Sequence, residues 1–335
     1  MTINQVNLLN IALMIASAAA AFALPFQLFL AAYAVLGPLH YLTQISWLHS
    51  RDYFTTDRRD YLLLGALAAA LLTLRYLTIG VMQIDAMPWA TSVVLVALAA
   101  SCGMAFSSRP AVKLALIAAA LVLAPWVATV DTAQVLLLSL LPTIIHVYCF
   151  TALFILFGAL RGRSVSGIAS FVVFAACTAS FFVFRTSDPG PVLHGYLRDS
   201  YDLFANLNVH LADWLGLASL DAPDAVYASS TGVMLMRFIA FAYTYHYLNW
   251  FSKTSVIQWH KVPRAWAVTN VVLWIGSVGL YAWDYATGVI VLFSLSWLHV
   301  LLELPLDYRT FAGIGREVAS LRVHVPGYGQ RMRVP

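Results

Sequence analysis

Four of the nine histidines, His40, His146, His246 and His299, stand inside apolar stretches: "GPLHYLTQ", "IIHVYCFT", "YTYHYLNW" and "WLHVLLELPLD". Neutral imidazole is the commonest metal ligand and suits iron, zinc, copper and nickel alike. One such histidine is more often a polar group that hydrogen-bonds a neighbouring helix. Four at a common depth point instead to a shared site, with a metal as the leading occupant. Their neighbours fit that reading. Glu303 follows His299 by four residues, so the two share a helical face. It could ligate, accept a histidine N–H, or reach the membrane interface. Gln44 stands four beyond His40, where its amide could orient the imidazole or bind water. Tyr247, beside His246, could hydrogen-bond bound oxygen or line a substrate channel; an aromatic interface belt is the equal alternative. His49 and His260 fall at helix ends and are weaker candidates, for a second metal. His194, His210 and His324 read as solvated, and Arg75 and Arg237 as snorkelling side chains.

These residues need helices to hold them, and the composition says which kind. The chain of 335 residues is 61% hydrophobic and 10% charged, against about 25% charged in soluble domains. Apolar runs long enough to cross a bilayer recur throughout, while the alternation expected of a membrane barrel is missing. The expectation is an all-α, polytopic membrane bundle of about ten helices near 7–23, 26–48, 60–80, 89–106, 111–130, 134–160, 165–185, 231–252, 265–283 and 286–304. Residues 1–305 form one transmembrane domain, and 306–335 a basic cytoplasmic tail. The loop at 186–230 carries an amphipathic segment, read as lying on the outer leaflet, with surface packing favoured over a lid role. Basic residues crowd alternate loops (Arg51, Arg58, Arg59; Arg109, Lys113; Arg161, Arg163; Lys253, Lys261, Arg264), which places both termini in the cytoplasm. On that topology the four histidine helices all run the same way and carry their imidazoles in the cytoplasmic half. Three cysteines, all within apolar runs, suggest no disulfide framework. The basic balance belongs to membrane topology rather than nucleic acid.

No Walker motif, no GxGxxG before a helix, no HExxH pair and no histidine boxes of the desaturase type occur. Taken in order, the four histidine segments resemble the bacterial Brp/Blh-like β-carotene 15,15′-dioxygenases. That family is helical in the membrane and carries motifs of the kind PHG, IHF and PHxxxxD. The resemblance implies that His40, His146, His246 and His299 bind non-haem iron, one ion or two, which uses dioxygen on a lipophilic polyene, carotenoid or lipid. Tyr41 replaces the glycine of the early motif, Gln44 replaces the acidic residue after it, and Trp250 stands where a second late histidine belongs. The leading expectation is therefore a membrane oxygenase whose metal is held by the four histidines, with Glu303, Tyr247 and Gln44 in catalytic support. A homo-oligomer is compatible with it. The alternatives are a transporter or channel with an intramembrane His/Glu path for protons or metal ions, and a haem or quinone redox protein.

Overall fold

Among the described residues every regular element is helical. The computed structural model describes residues 1–80, 85–185, 195–222, 224–253, 258 and 261–323. The long helices are α1 (Ile3–Ala23), α2 (Pro25–His49), α3 (Asp60–Gly80), α4 (Met87–Phe106), α5 (Pro110–Val127), α6 (Asp131–Arg161) and α7 (Val165–Val183). Two short helices follow, α8 (Tyr196–Asp202) and α9 (Ala205–Trp214), then α10 (Ser230–Ser252), α11 (Arg264–Trp283) and α12 (Tyr285–Val323). Eight of these helices are long and apolar enough to cross a membrane, and the chain is an integral membrane bundle. The remaining two expected spans are present as α3, whose stretch Asp60–Leu74 is a shorter apolar helix, and α10.

Local chemistry sets most boundaries. Thr2 and Gln5 form a reciprocal cap on α1, and Ser164 and Ser229 accept the Gly167 and Gly232 amides at the starts of α7 and α10. Proline opens α2, α4 and α5, where its missing N–H costs nothing. Two helices widen into π-type turns, α2 at Ala32–Leu36 and α6 over Val135–Phe150. Such turns concentrate at functional sites, and both lie against the histidines.

The bundle has two central helices. α10 packs against α1, α2, α6, α7 and α9, and α12 against α2, α3, α4, α6 and α11. From Gly232 to Trp250 almost every residue of α10 is buried, although the segment carries three tyrosines, a threonine, a histidine and an asparagine. Partners make that burial tolerable, because an unpaired polar group away from water is costly. Tyr245 donates to Asn10 Oδ1 at 3.1 Å, Ser252 donates to the same oxygen at 3.0 Å, and Trp250 Nε1 donates to Thr43 Oγ1 at 3.0 Å. Peripheral helices do the reverse. Leu121, Val122 and Trp126 on α5 and Val268, Val272 and Ile275 on α11 are exposed, as lipid-facing surfaces require.

Two sequence expectations change. The segment expected on the outer leaflet is broken at Leu203–Phe204 into α8 and α9. Tyr201, Leu207 and Leu211 turn into the bundle, with Tyr201 against Phe26 and Phe29, whereas Tyr196, Leu203 and Trp214 stay exposed. The break resets the apolar period between the two helices. Residues 186–194 of that loop lie outside the described residues. The last span does not end near 304: α12 continues through Pro305 to Val323. Asp307 and Thr310 are still buried, and Arg309 Nε donates to the Ala105 carbonyl at 3.2 Å. Contacts of this kind hold the chain helical past a proline that removes one backbone donor. The tail beyond 323 lies outside the described residues.

Candidate metal centre

α2, α6, α10 and α12 each deliver one histidine to a shared cluster. His40 Nε2 and His246 Nε2 are 3.0 Å apart, and His146 Nε2 and His299 Nε2 are also 3.0 Å apart. The pairs interlock, with ring centroids of His146 and His246 at 5.2 Å and of His40 and His299 at 5.5 Å. All four rings are buried. Glu303 joins them through Oε2, 3.6 Å from His146 Nε2. Two sets of three side chains, His40–His146–His246 and His146–His299–Glu303, each have ligating atoms within 4.8 Å of one another.

The second ring nitrogen decides how each imidazole presents itself. His299 Nδ1 donates to the Ser296 carbonyl, which can only accept. That bond fixes the tautomer and leaves a lone pair on Nε2 facing the cluster. His246 Nδ1 pairs with Thr151 Oγ1 at 2.8 Å. Tyr41 stacks on His299 with centroids 4.3 Å apart. Its hydroxyl lies 2.9 Å from that of Tyr247, whose ring stands 5.3 Å from His40. Gly37 makes room for this tyrosine pair, since a Cβ there would meet Tyr247 Oη at 3.2 Å and Tyr41 Oη at 3.4 Å. The Gln44 side chain hydrogen-bonds Glu303.

The donor set fits a metal ion. With metal–nitrogen bonds of about 2.0–2.1 Å, two nitrogens 3.0 Å apart subtend about 90°, as adjacent ligands of an octahedral ion do. Glu303 Oε2 is buried without a hydrogen-bond partner, and a carboxylate oxygen left so is costly unless a cation or donor meets it. The set His146, His299 and Glu303 is two histidines and one carboxylate, a combination associated with non-haem Fe(II).

All seven side chains singled out in the sequence (His40, His146, His246, His299, Glu303, Gln44 and Tyr247) gather here. The weaker candidates do not. His49 stacks on Trp266 at 5.0 Å and pairs with Tyr53, away from the cluster. His210, expected to be solvated, is half-buried on α9 and pairs with Ser139 Oγ at 2.9 Å, and burial lowers its pKa. Arg237 lies over the Phe22 ring at 5.1 Å. His194, His260, His324 and the Arg75 side chain fall outside the described residues. Sequence reasoning missed Thr151, Tyr41 as a stacking partner, and Asp307. Asp307 lies one turn beyond Glu303 and is buried with neither carboxylate oxygen hydrogen-bonded. A hydroxyl and a carboxylate within apolar runs were the available signals. Comparison of the chain with models of protein families, with curated proteins and with solved structures finds no match.

Proposed function

We propose that this protein is a membrane-embedded, histidine-ligated metalloenzyme, an iron-dependent oxygenase of a lipophilic substrate. The observation that carries the reading is the convergence of four buried histidine Nε2 atoms, in two 3.0 Å pairs, with Glu303 at 3.6 Å. His40, His146 and His246 on one side and His146, His299 and Glu303 on the other would hold one ion or two, and iron so held would supply the activation of dioxygen. The protein's own contribution is positional. Ser296 and Thr151 lock two of the imidazoles, and Gln44 holds the carboxyl of Glu303. The Tyr41–Tyr247 pair shares one hydroxyl proton, which leaves the other O–H as a donor to a substrate or oxygen beside His40.

Elemental analysis of protein purified without chelators tests the reading. Bound iron without a Soret band is expected, together with dioxygen consumption in the presence of membrane lipid extract. His40→Ala and His299→Ala should lose the metal and the activity together. Metal-free native protein, or full activity in both variants, would overturn it, and ion flux in proteoliposomes would favour a transporter instead.

A further inference from the structure

A cavity of about 460 Å³ joins the histidines to one end of the bundle. His40, His246 and Glu303 line its inner part, and Arg51, Arg161 and Lys253, each at or just past the end of its helix, line the other. Apolar side chains such as Phe154, Ile155 and Leu306 make up much of the wall between. The size is ordinary for a pocket that takes one small-molecule ligand.

The three cations stand out by their place around one opening. At this end Lys113 pairs with Asp60 at 2.6 Å and Arg58 with Asp52 at 3.2 Å. Among the described residues Arg51, Arg161 and Lys253 have no carboxylate partner. Cations near helix C-termini complement the backbone dipole, and long basic side chains snorkel. Those effects explain bases at the ends of helices. They do not explain why three bases meet around one opening whose floor is a buried histidine cluster. Burial also brings the Lys253 ammonium down to about 8, so an arriving anion would offset a desolvated cation.

We propose that the cavity binds a single-chain anionic amphiphile, its carboxylate or phosphate held by Arg51, Arg161 and Lys253 and its hydrocarbon chain laid toward the four histidines. That the chain is the part oxidised rests on the metalloenzyme reading; the binding itself does not. A neutral polyene has no anionic group for the three cations to meet.

Equilibrium binding to the purified full-length protein in a non-ionic detergent tests this, with radiolabelled hexadecanoate, hexadecyl phosphate and hexadecanol as probes. At least one anion should bind about tenfold tighter than the alcohol, a difference of about 1.4 kcal/mol, and which anion wins identifies the source as fatty acid or phospholipid. Arg51→Gln/Arg161→Gln/Lys253→Gln should abolish the preference while leaving hexadecanol binding in place. His299→Ala should keep the preference, so a failed metal site and a failed amphiphile site give different results. Equal binding of the alcohol and both anions by the wild-type protein overturns the proposal without any variant, as does a triple variant that retains the preference.

Discussion

Thr151 is the side chain on which the aim of His246 depends. Its Oγ1 lies 2.8 Å from His246 Nδ1, and it is buried on α6, the helix that also carries His146. Replacing it with valine keeps the shape and removes the partner, leaving a buried ring nitrogen unsatisfied at about 1–3 kcal/mol. Loss of such an outer partner weakens metal binding by about 10–100-fold. Thr151→Val should therefore lower metal affinity by that factor in a competition titration with a chromophoric chelator, and Thr151→Ser should restore it. Unchanged affinity in the valine variant would show that His246 is oriented by something else. The contrast between His246 and Thr151 also marks how far the sequence could be read. A histidine in hydrocarbon announces itself, because burying it without a partner is expensive. A threonine in hydrocarbon does not, because its hydroxyl can bond to the carbonyl one turn back on its own helix, as Thr143 does on this same helix with Ser139. Tyr41 was visible only as a departure from a motif, and its stacking on His299 depends on the crossing of α2 and α12.

At the scale of elements, α10 carries most of the consequence. It is among the least apolar of the spans in sequence, yet its residues are the most completely buried, so its position must be set by fit rather than by apolarity. Its start shows how. Ser229 caps the helix, and Gly232 sits where an added Cβ would lie 2.4 Å from the carbonyl oxygens of both Ala225 and Val226. Those are backbone atoms of the preceding turn and cannot rotate away. Gly232→Ala should destabilise the bundle by about 1–3 kcal/mol, the usual cost of overpacking, read as a lower midpoint in thermal unfolding in detergent. Gly65→Ala on α3, where a Cβ meets nothing within 4 Å, should leave the midpoint unchanged or raised. Equal effects at the two sites would remove the argument that close approach fixes α10. The ten long helices themselves were legible, since apolar length is a composition signal that tertiary context seldom overrides. The π-type turns in α2 and α6, the break between α8 and α9, and the run of α12 past Pro305 were not. Each depends on what the neighbouring elements supply.

For the whole molecule, charge and site lie along one axis. The helix ends carrying Arg51, Arg161 and Lys253 meet around one cavity, the loop after α2 is joined to the end of α4 by Thr56 bonds to Met104 and Ser107, and Asn7 bonds Ser164 and Ser166 between α6 and α7. The basic loops therefore share one end of the bundle. Retention of basic loops in the cytoplasm then predicts one orientation for the entire protein, because the helices cannot invert independently once packed around α10 and α12. Cysteine labelling checks it in a variant lacking Cys102, Cys149 and Cys177. Ser108→Cys, exposed at the basic end after α4, should react with an impermeant maleimide only after the cells are permeabilised. Thr129→Cys, exposed at the opposite end between α5 and α6, should react in intact cells. The reverse pattern would put the cavity mouth outside. If the expected pattern holds, the cavity opens toward the compartment where newly made and released fatty chains carry free anionic heads. An amphiphile could then enter head last, leaving its charge at Arg51, Arg161 and Lys253 and presenting its hydrocarbon to the histidines.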